Sequence, residues 1–181
     1  MRKWIWSLLV IATVFVAYDL YDGFAHSSLS RMSRAEELAQ EDDLREAVFR
    51  HLFTQNASVQ GRSAQVYFLA VGAKGEDPDD AFMLRFADSP TPVKKASDSI
   101  FAADNSDKPA IGRGEMVITD KATGQPGLLF HTREIKWLNS VQAEVSGGYY
   151  EAMMSASGNT YELEKIDDKW VVVKNTELWI S

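Results

Sequence analysis

Two neighbouring segments decide the fold of this chain: residues 128–137 (LLFHTREIKW) and residues 141–150 (VQAEVSGGYY). Both are rich in branched and aromatic residues, and Asn139 and Ser140 between them suit a tight turn. The pattern predicts two antiparallel strands joined by a hairpin. The same alternation of strand-forming segments and turn residues extends in both directions, and it predicts further strands at residues 93–100, 115–119, 160–166 and 170–179.

Three further turns are predicted between these strands. They lie at residues 123–127 (TGQPG), at Gly158 with Asn159, and at Asp167 with Asp168. Each is short enough to join neighbouring strands as a hairpin. The second half of the chain is therefore expected to form an antiparallel meander.

A helix is predicted ahead of the meander. Ser33 and Glu36 have the spacing of a capping box, and the acidic residues 41–43 offer a second start. Apolar residues then recur every four positions, at Leu44, Val48 and Leu52. We expect a helix over about residues 42–54 that turns this stripe to a core. His51 lies on the stripe, and it is expected to be partly buried rather than a metal ligand, because no second ligand stands at suitable spacing.

A strand and a second helix are predicted between this helix and the meander. Residues 66–71 (VYFLAV) are apolar on both faces, which indicates a strand that is covered on each side or lies in the middle of the sheet. Asp77 is a suitable N-cap, and Pro78 suits the first helical position. Capping accounts for the acidic cluster of Asp77, Asp79 and Asp80 without calcium, since the glycine and terminal glutamate of an EF-hand loop are missing.

The fold class that follows is α+β, with helices packed on one face of a curved antiparallel sheet in a single domain, residues 35–181. The closing segments, residues 169–173 (KWVVV) and 179–181 (WIS), together with the order of the elements, resemble the NTF2-like, cystatin-like roll superfamily. The resemblance implies a cone-shaped pocket between helix and sheet. In different members this pocket serves as an active site, a ligand cavity or a packed core.

The first 25 residues carry an export signal. Arg2 and Lys3 precede the uncharged apolar run of residues 4–17 (WIWSLLVIATVFVA). Such a segment enters the bilayer while its positive start stays in the cytoplasm, so the rest of the chain is expected outside, in the periplasm or the extracellular space. Two interpretations remain open. Residues 1–25 are a signal peptide cleaved after Ala25, or they are a membrane anchor, favoured by the aromatic residues at both ends: Trp4, Trp6, Tyr18 and Tyr21. Residues 26–34 then form a tether.

Composition excludes several classes of function. The 181 residues include no cysteine, which excludes disulfides, thiolate catalysis, iron–sulfur clusters and cysteine zinc sites. The formal net charge is −7, and such a surface repels polyphosphate, so no nucleic-acid partner is expected. No cofactor, metal site or catalytic residue is assigned. The partners expected are the membrane, through the N-terminal segment, and a protein or a small ligand.

One group of residues is a candidate pocket. In the strand at residues 128–137, His131 and Arg133 share parity with Trp137, which would place a base and a cation beside apolar residues that point inward. Tyr149 on the next strand would line the same cavity, which would suit a small anionic ligand. The competing interpretation is that a β-bulge turns His131 and Arg133 to solvent.

Two functions follow from these observations. The favoured one is an exported, membrane-tethered, non-catalytic envelope module that binds a protein partner or a small ligand. The alternative is a small NTF2-like pocket enzyme that uses His131 as a general base.

Overall fold

The computed structural model describes residues 32–55, 64–103, 116–152 and 155–180. Their elements are, in chain order, α1 (Arg34–Gln55), β1 (Val66–Val71), α2 (Asp80–Leu84), β2 (Val93–Lys95), a 3-10 turn (Ala96–Asp98), β3 (Ser99–Ala103), β4 (Met116–Asp120), β5 (Gly127–Asn139), β6 (Gln142–Ala152), β7 (Ser155–Ile166) and β8 (Lys169–Ile180). The predicted class, helices with a strand-rich sheet, is confirmed. The proposed signal or anchor, residues 1–25, lies outside the described residues. Within the described ranges no helix is long and apolar enough to cross a membrane.

The eight strands form one mixed sheet. Strands β5, β6, β7 and β8 pair in sequence as an antiparallel meander, as predicted. Strand β1, however, runs parallel to both of its neighbours, β2 and β5. The expectation of an antiparallel sheet is therefore wrong at this edge, because α2 lies between β1 and β2 and returns the chain in the same direction.

The single strand predicted at residues 93–100 is two strands. The 3-10 turn at Ala96–Asp98 interrupts it, and β2 pairs with β1 whereas β3 pairs with β4. The backbone N–H of Ser97 donates to the Asp77 carboxylate at 2.8 Å, and the ammonium of Lys121 donates to the Ser97 carbonyl at 2.6 Å. These contacts hold the turn that sends the chain from one edge of the sheet to the other.

Helix α1 begins earlier than residue 42. The Ser33 hydroxyl and backbone N–H both donate to the Glu36 carboxylate at 2.8 Å, and the N–H of Glu36 returns a bond to the Ser33 hydroxyl at 3.4 Å. The capping box is therefore the true start, and residues 41–43 lie inside the helix. The apolar stripe is buried as predicted, at Leu44, Val48, Phe49 and Leu52.

The N-cap of α2 is Asp79 rather than Asp77. The Asp79 carboxylate accepts from the N–H of Phe82 at 2.7 Å, and the helix begins at Asp80. Asp77 instead holds the Ser97 turn, and Asp80 forms an ion pair with Lys95 at 2.6 Å. Each carboxylate of the cluster thus has a structural partner.

Two cores flank the sheet, and β1 contributes to both. The larger lies under α1 and α2 and contains, among others, Phe49, Leu69, Phe82, Phe130, Tyr161 and Trp170. The smaller lies on the opposite face, where Ile118 packs with Val66 and Phe68, and Phe101, Leu129 and Tyr150 pack against them. The prediction that residues 66–71 form a strand covered on both sides is therefore confirmed. We call these two sides the helix face and the outer face.

The last hairpin forms as predicted. Asp167 and Asp168 have φ of 49° and 61°, the left-handed pair typical of a two-residue hairpin turn. Trp170 is 7 % exposed and packs edge-on against Trp137 at a centroid distance of 5.7 Å. The expectation that Trp170 belongs to the core is confirmed.

Candidate functional site

A β-bulge divides strand β5. Thr132 lies opposite Gly147 and Ile135 opposite Val145, so three steps on β5 match two on β6. The extra residue reverses which side chains face which side of the sheet. Before the bulge His131 lies opposite Ala70, in the row of β1 residues that points to the outer face. After the bulge Trp137 packs on the helix face. The strand therefore does not bring His131 and Trp137 together. The expected bulge is present, but of the two residues it leaves only Arg133 exposed, since His131 is half-buried on the outer face.

Arg45 of α1 holds this bulge. Its guanidinium donates to the Thr132 hydroxyl at 3.0 Å and to the carbonyl oxygen of Arg133 at 3.2 Å. A bulge leaves backbone groups without ladder partners, and here a helix side chain binds one of them. The side chain of Arg133 itself is exposed.

His131 is half-buried on the outer face. Burial, and to a smaller extent the positive charge of Arg133, lowers its pKa to about 4. The imidazole is therefore neutral at neutral pH, but a conjugate acid this strong makes it a weak general base. The role of His131 as a catalytic base receives no support from this environment.

Tyr149, the fourth predicted pocket residue, does line a cavity. Its volume is about 120 Å³, and it lies on the helix face, between the last turn of α1 and strands β6–β8. The lining residues are Leu52, Gln55, Tyr149, Ser157, Asn159, Tyr161, Asn175, Glu177 and Ile180. We call this cavity the helix-end pocket.

Strand register builds the floor of the helix-end pocket. Tyr149 lies opposite Ser157, and Ser157 lies opposite Ile180 on the other side. The next rows pair Asn159 with Glu177 and Tyr161 with Asn175. Because directly paired residues share a face, all of these side chains project to the helix face.

A row of hydrogen bonds crosses this floor. The Ser157 hydroxyl donates to the Asn159 carbonyl oxygen Oδ1 at 2.9 Å, and the Asn159 amide donates to Oδ1 of Asn175 at 2.8 Å. Ser157 and Asn159 are only 4 % and 6 % exposed. Since Asn175 accepts this bond through its oxygen, its NH₂ group remains a donor for another partner.

Tyr161 is the most unusual member of the pocket. Its side chain is fully buried, and its hydroxyl has no hydrogen-bond partner among the described residues. Burial raises the pKa of this hydroxyl, which stays protonated. The ring of His51 packs edge-on against Tyr161 at 5.8 Å. Such a buried hydroxyl without a partner costs about 1–3 kcal/mol, and a ligand that bonds to it would recover that free energy.

The charge of the helix-end pocket is negative. Glu177 is its one ionisable carboxylate, and Lys, Arg and His are missing from its described lining. The pKa of Tyr149 is raised, first by burial and then by the negative charges of Glu151 and Glu177, although a hydrogen bond with Ser155 opposes the shift. Burial lowers the pKa of His51, so this neighbour adds no positive charge at neutral pH. The anionic ligand expected from His131 and Arg133 does not match these groups.

A larger cavity, of about 540 Å³, lies between α1 and the turn of the last hairpin. Three of its charged groups are already in ion pairs: Arg50 pairs with Glu46 at 2.8 Å, and Asp43 pairs with Arg85 at 2.8 Å. The pairs of Arg85 with Asp43 and Glu46 connect the end of α2 to α1, so these carboxylates have a structural role. Among the described residues, no three His, Cys, Asp or Glu side chains converge to hold a metal ion.

Sequence reasoning named only Tyr149 among the residues that line the helix-end pocket. The polar residues it missed are Ser157, Asn159, Tyr161, Asn175 and Glu177. Gly158 with Asn159 is not a turn, since β7 begins at Ser155 and runs through both. Strand parity is the signal that identifies Ser157 and Asn159, because both share it with the buried Tyr161.

Comparison of the chain with protein-family models, with curated proteins and with solved structures finds no match.

Proposed function

We propose that this protein is an exported, membrane-tethered, non-catalytic envelope module that binds a small ligand in the helix-end pocket. The observation that carries the proposal is the buried Tyr161 hydroxyl, which lacks a partner among the described residues beside the row formed by Ser157 and Asn159. Buried polar groups are nearly always satisfied in folded proteins. Ligand pockets combine apolar walls with a few such groups, as Leu52 and Ile180 do here with the polar floor.

Export and tethering rest on the N-terminal sequence. Arg2 and Lys3 followed by the apolar residues 4–17 are typical of a segment that inserts into a bilayer with its start inside. The aromatic residues at both ends favour retention as an anchor. Residues 26–181 are then outside the cytoplasm.

The resemblance to the NTF2-like rolls is part of the proposal. That superfamily places its pocket between a helix and the sheet, and the helix-end pocket lies between α1 and strands β6–β8. This position supports the resemblance and gives the proposed ligand a natural site. A fold alone specifies no chemistry, so the ligand is argued from the lining residues.

A binding role is favoured over catalysis by the lining itself. Its polar members are hydroxyls, amides and the single carboxylate Glu177. Covalent or acid–base catalysis needs a nucleophile with an adjacent base, or two titratable groups whose pKa values differ. The described lining contains no histidine or lysine, and burial raises the pKa values of its two tyrosines, which makes them poorly matched to acid–base catalysis near neutral pH.

Binding is tested on the full-length chain in a neutral detergent by following side-chain amide NMR signals. Methanol, acetamide, methylammonium and acetate are added separately. At least one probe should shift the Asn159 and Asn175 signals saturably, and Tyr161→Phe should weaken that response. The side-chain amide of Gln142 is the internal control, because it binds Glu164 at 3.0 Å away from the pocket. Shifts at Gln142 as large as those at Asn159, or no saturable shift with any probe, would contradict the proposal.

Export is tested with a reporter that is active only outside the cytoplasm, fused after Ser181. Activity is expected, because the positive start and apolar run carry the following chain across the membrane. Carbonate extraction then separates the two interpretations, since an anchored chain stays in the membrane pellet. An inactive reporter, with the intact fusion protein found in the cytoplasm, would overturn this half of the proposal.

A further inference from the structure

We propose that the helix-end pocket binds a small organic cation, a primary or methylated ammonium group. The inference rests on the proposed function and specifies its ligand. Three features of the pocket carry it: the carboxylate Glu177, the aromatic rings of Tyr149 and Tyr161, and the hydroxyl of Tyr161.

The charge of the helix-end pocket favours a cation. Glu177 is the only charged side chain of the described lining. The buried Glu151 lies close enough for its charge to act on Tyr149, and its carboxylate accepts a bond from the Ser155 hydroxyl at 2.5 Å. The nearest lysine on β8, Lys174, lies opposite Glu162 in the row on the other face of the sheet, and the two form an ion pair at 2.6 Å. A cation entering the pocket therefore meets the Glu177 carboxylate and no competing positive side chain among the described lining residues.

Two tyrosine rings form part of the pocket wall. Faces of aromatic rings attract ammonium groups, and this attraction is strongest where water is excluded. Tyr161 is fully buried and Tyr149 is half-buried on the same face. An anion would lie against the negative faces of these rings and beside Glu177, which disfavours it.

The pocket offers hydroxyl oxygens that can accept hydrogen bonds from an ammonium group. An ammonium group only donates, and a tyrosine hydroxyl without a partner can accept. The oxygen of the Ser157 hydroxyl also remains available as an acceptor, because that hydroxyl uses its hydrogen to bond Asn159. The cavity of about 120 Å³ has room for only a few heavy atoms, given that one water occupies about 30 Å³ in the liquid.

The test compares methylammonium with methanol, a neutral probe of the same size, by NMR titration of the full-length chain in neutral detergent. Methylammonium should bind about fivefold more tightly, and Glu177→Gln should remove most of that advantage. Added sodium chloride should weaken methylammonium binding and leave methanol binding unchanged. Glu162→Gln is the matched control: it also removes a carboxylate from the β7–β8 hairpin, but on the outer face, and it should leave both probes unaffected.

The outcomes distinguish this inference from the proposed function. Equal binding of methanol and methylammonium, or tighter binding of acetate, would overturn the cation and leave the pocket as a binding site for another class of ligand. Saturable binding of methylammonium that Glu177→Gln does not change would also overturn it. If no probe shifts the Asn159 signals, both proposals fail.

Discussion

Arg45, in the middle of α1, donates a hydrogen bond across 3.2 Å to the main-chain carbonyl oxygen of Arg133, in the bulge of β5. The same guanidinium reaches the Thr132 hydroxyl at 3.0 Å. One side chain thus connects the helix to the irregularity that decides which face each half of β5 presents. The ladder alone cannot satisfy the groups freed by the extra residue, so the helix supplies a donor.

Arg45→Met should lower the free energy of unfolding by about 2 kcal/mol, because hydrogen bonds from a charged group are lost and acceptors at the bulge are left without this donor. Urea denaturation measures the change. Arg34→Met is the control: its side chain is 68 % exposed, against 13 % for Arg45, and its ion pair with Glu37 is a surface pair. The control should change stability by less than about 0.5 kcal/mol. Equal losses for the two variants would show that Arg45 does not hold the bulge.

Trp170→Ala should lower the free energy of unfolding by about 3–5 kcal/mol, since it removes a large buried side chain from the helix-face core. It also removes the indole N–H bond to Gln40, which is 3.2 Å long. Trp179, which is 51 % exposed, provides the comparison, and Trp179→Ala should cost much less. If Trp170→Ala and Trp179→Ala lower the unfolding midpoint by the same amount, the core assignment of Trp170 is wrong.

Gly148→Ala should be far more damaging than Gly158→Ala. A Cβ at Gly148 would collide with the main-chain carbonyl oxygen of Ser157, whereas a Cβ at Gly158 would meet the indole of Trp179, a side chain that can move. We expect a loss of about 3 kcal/mol at Gly148 and about 1 kcal/mol or less at Gly158. Thermal unfolding of both variants measures this difference. The reverse order would mean that β6 and β7 do not approach as closely as they do here.

Acid should destabilise the protein through His131. Its pKa is about 4 in the folded protein and 6.5 as an ordinary value, so between these limits the unfolded chain binds more protons. The free energy of unfolding therefore rises as the pH rises from 4 to 6.5 and falls again on acidification. The change is at most about 1.4 kcal/mol per pH unit. His131→Gln should flatten this part of the pH profile relative to wild type. An imidazole titration midpoint near 6.5, measured by NMR, would contradict the expected burial.

The element types were predictable because local patterns determine them. The capping box of Ser33 and Glu36, the apolar stripe of α1 and the Asp167–Asp168 turn are all local signals, and the structure contains each of them. The parallel pairing of β1 was not predictable in the same way, since its partners are distant in sequence and its own residues are apolar on both faces. Partner choice depends on packing between segments rather than on the pattern of either one.

The candidate site was predicted only through Tyr149. Strand parity put His131 with Trp137, and one extra residue between Thr132 and Ile135 reversed it. The row of Ser157 and Asn159 was hidden because a glycine followed by asparagine is also a strong turn signal. The first error arose because a period-two pattern cannot show where an insertion shifts its phase, and the second because a local turn signal was overridden by pairing with β6 and β8.

The length of α1 sets the distance between the proposed tether and the site of the proposed ligand. Its 22 residues span about 33 Å, with the capping box at one end and the helix-end pocket at the other. In the anchored form that we propose, the tether of residues 26–34 extends to about 30 Å at most. Helix α1 then separates the tether, at its N-terminus, from the helix-end pocket at its last turn. Shortening the tether would limit the distance between the domain and the bilayer. The helix-end pocket would still lie one helix length from the point where the tether joins α1.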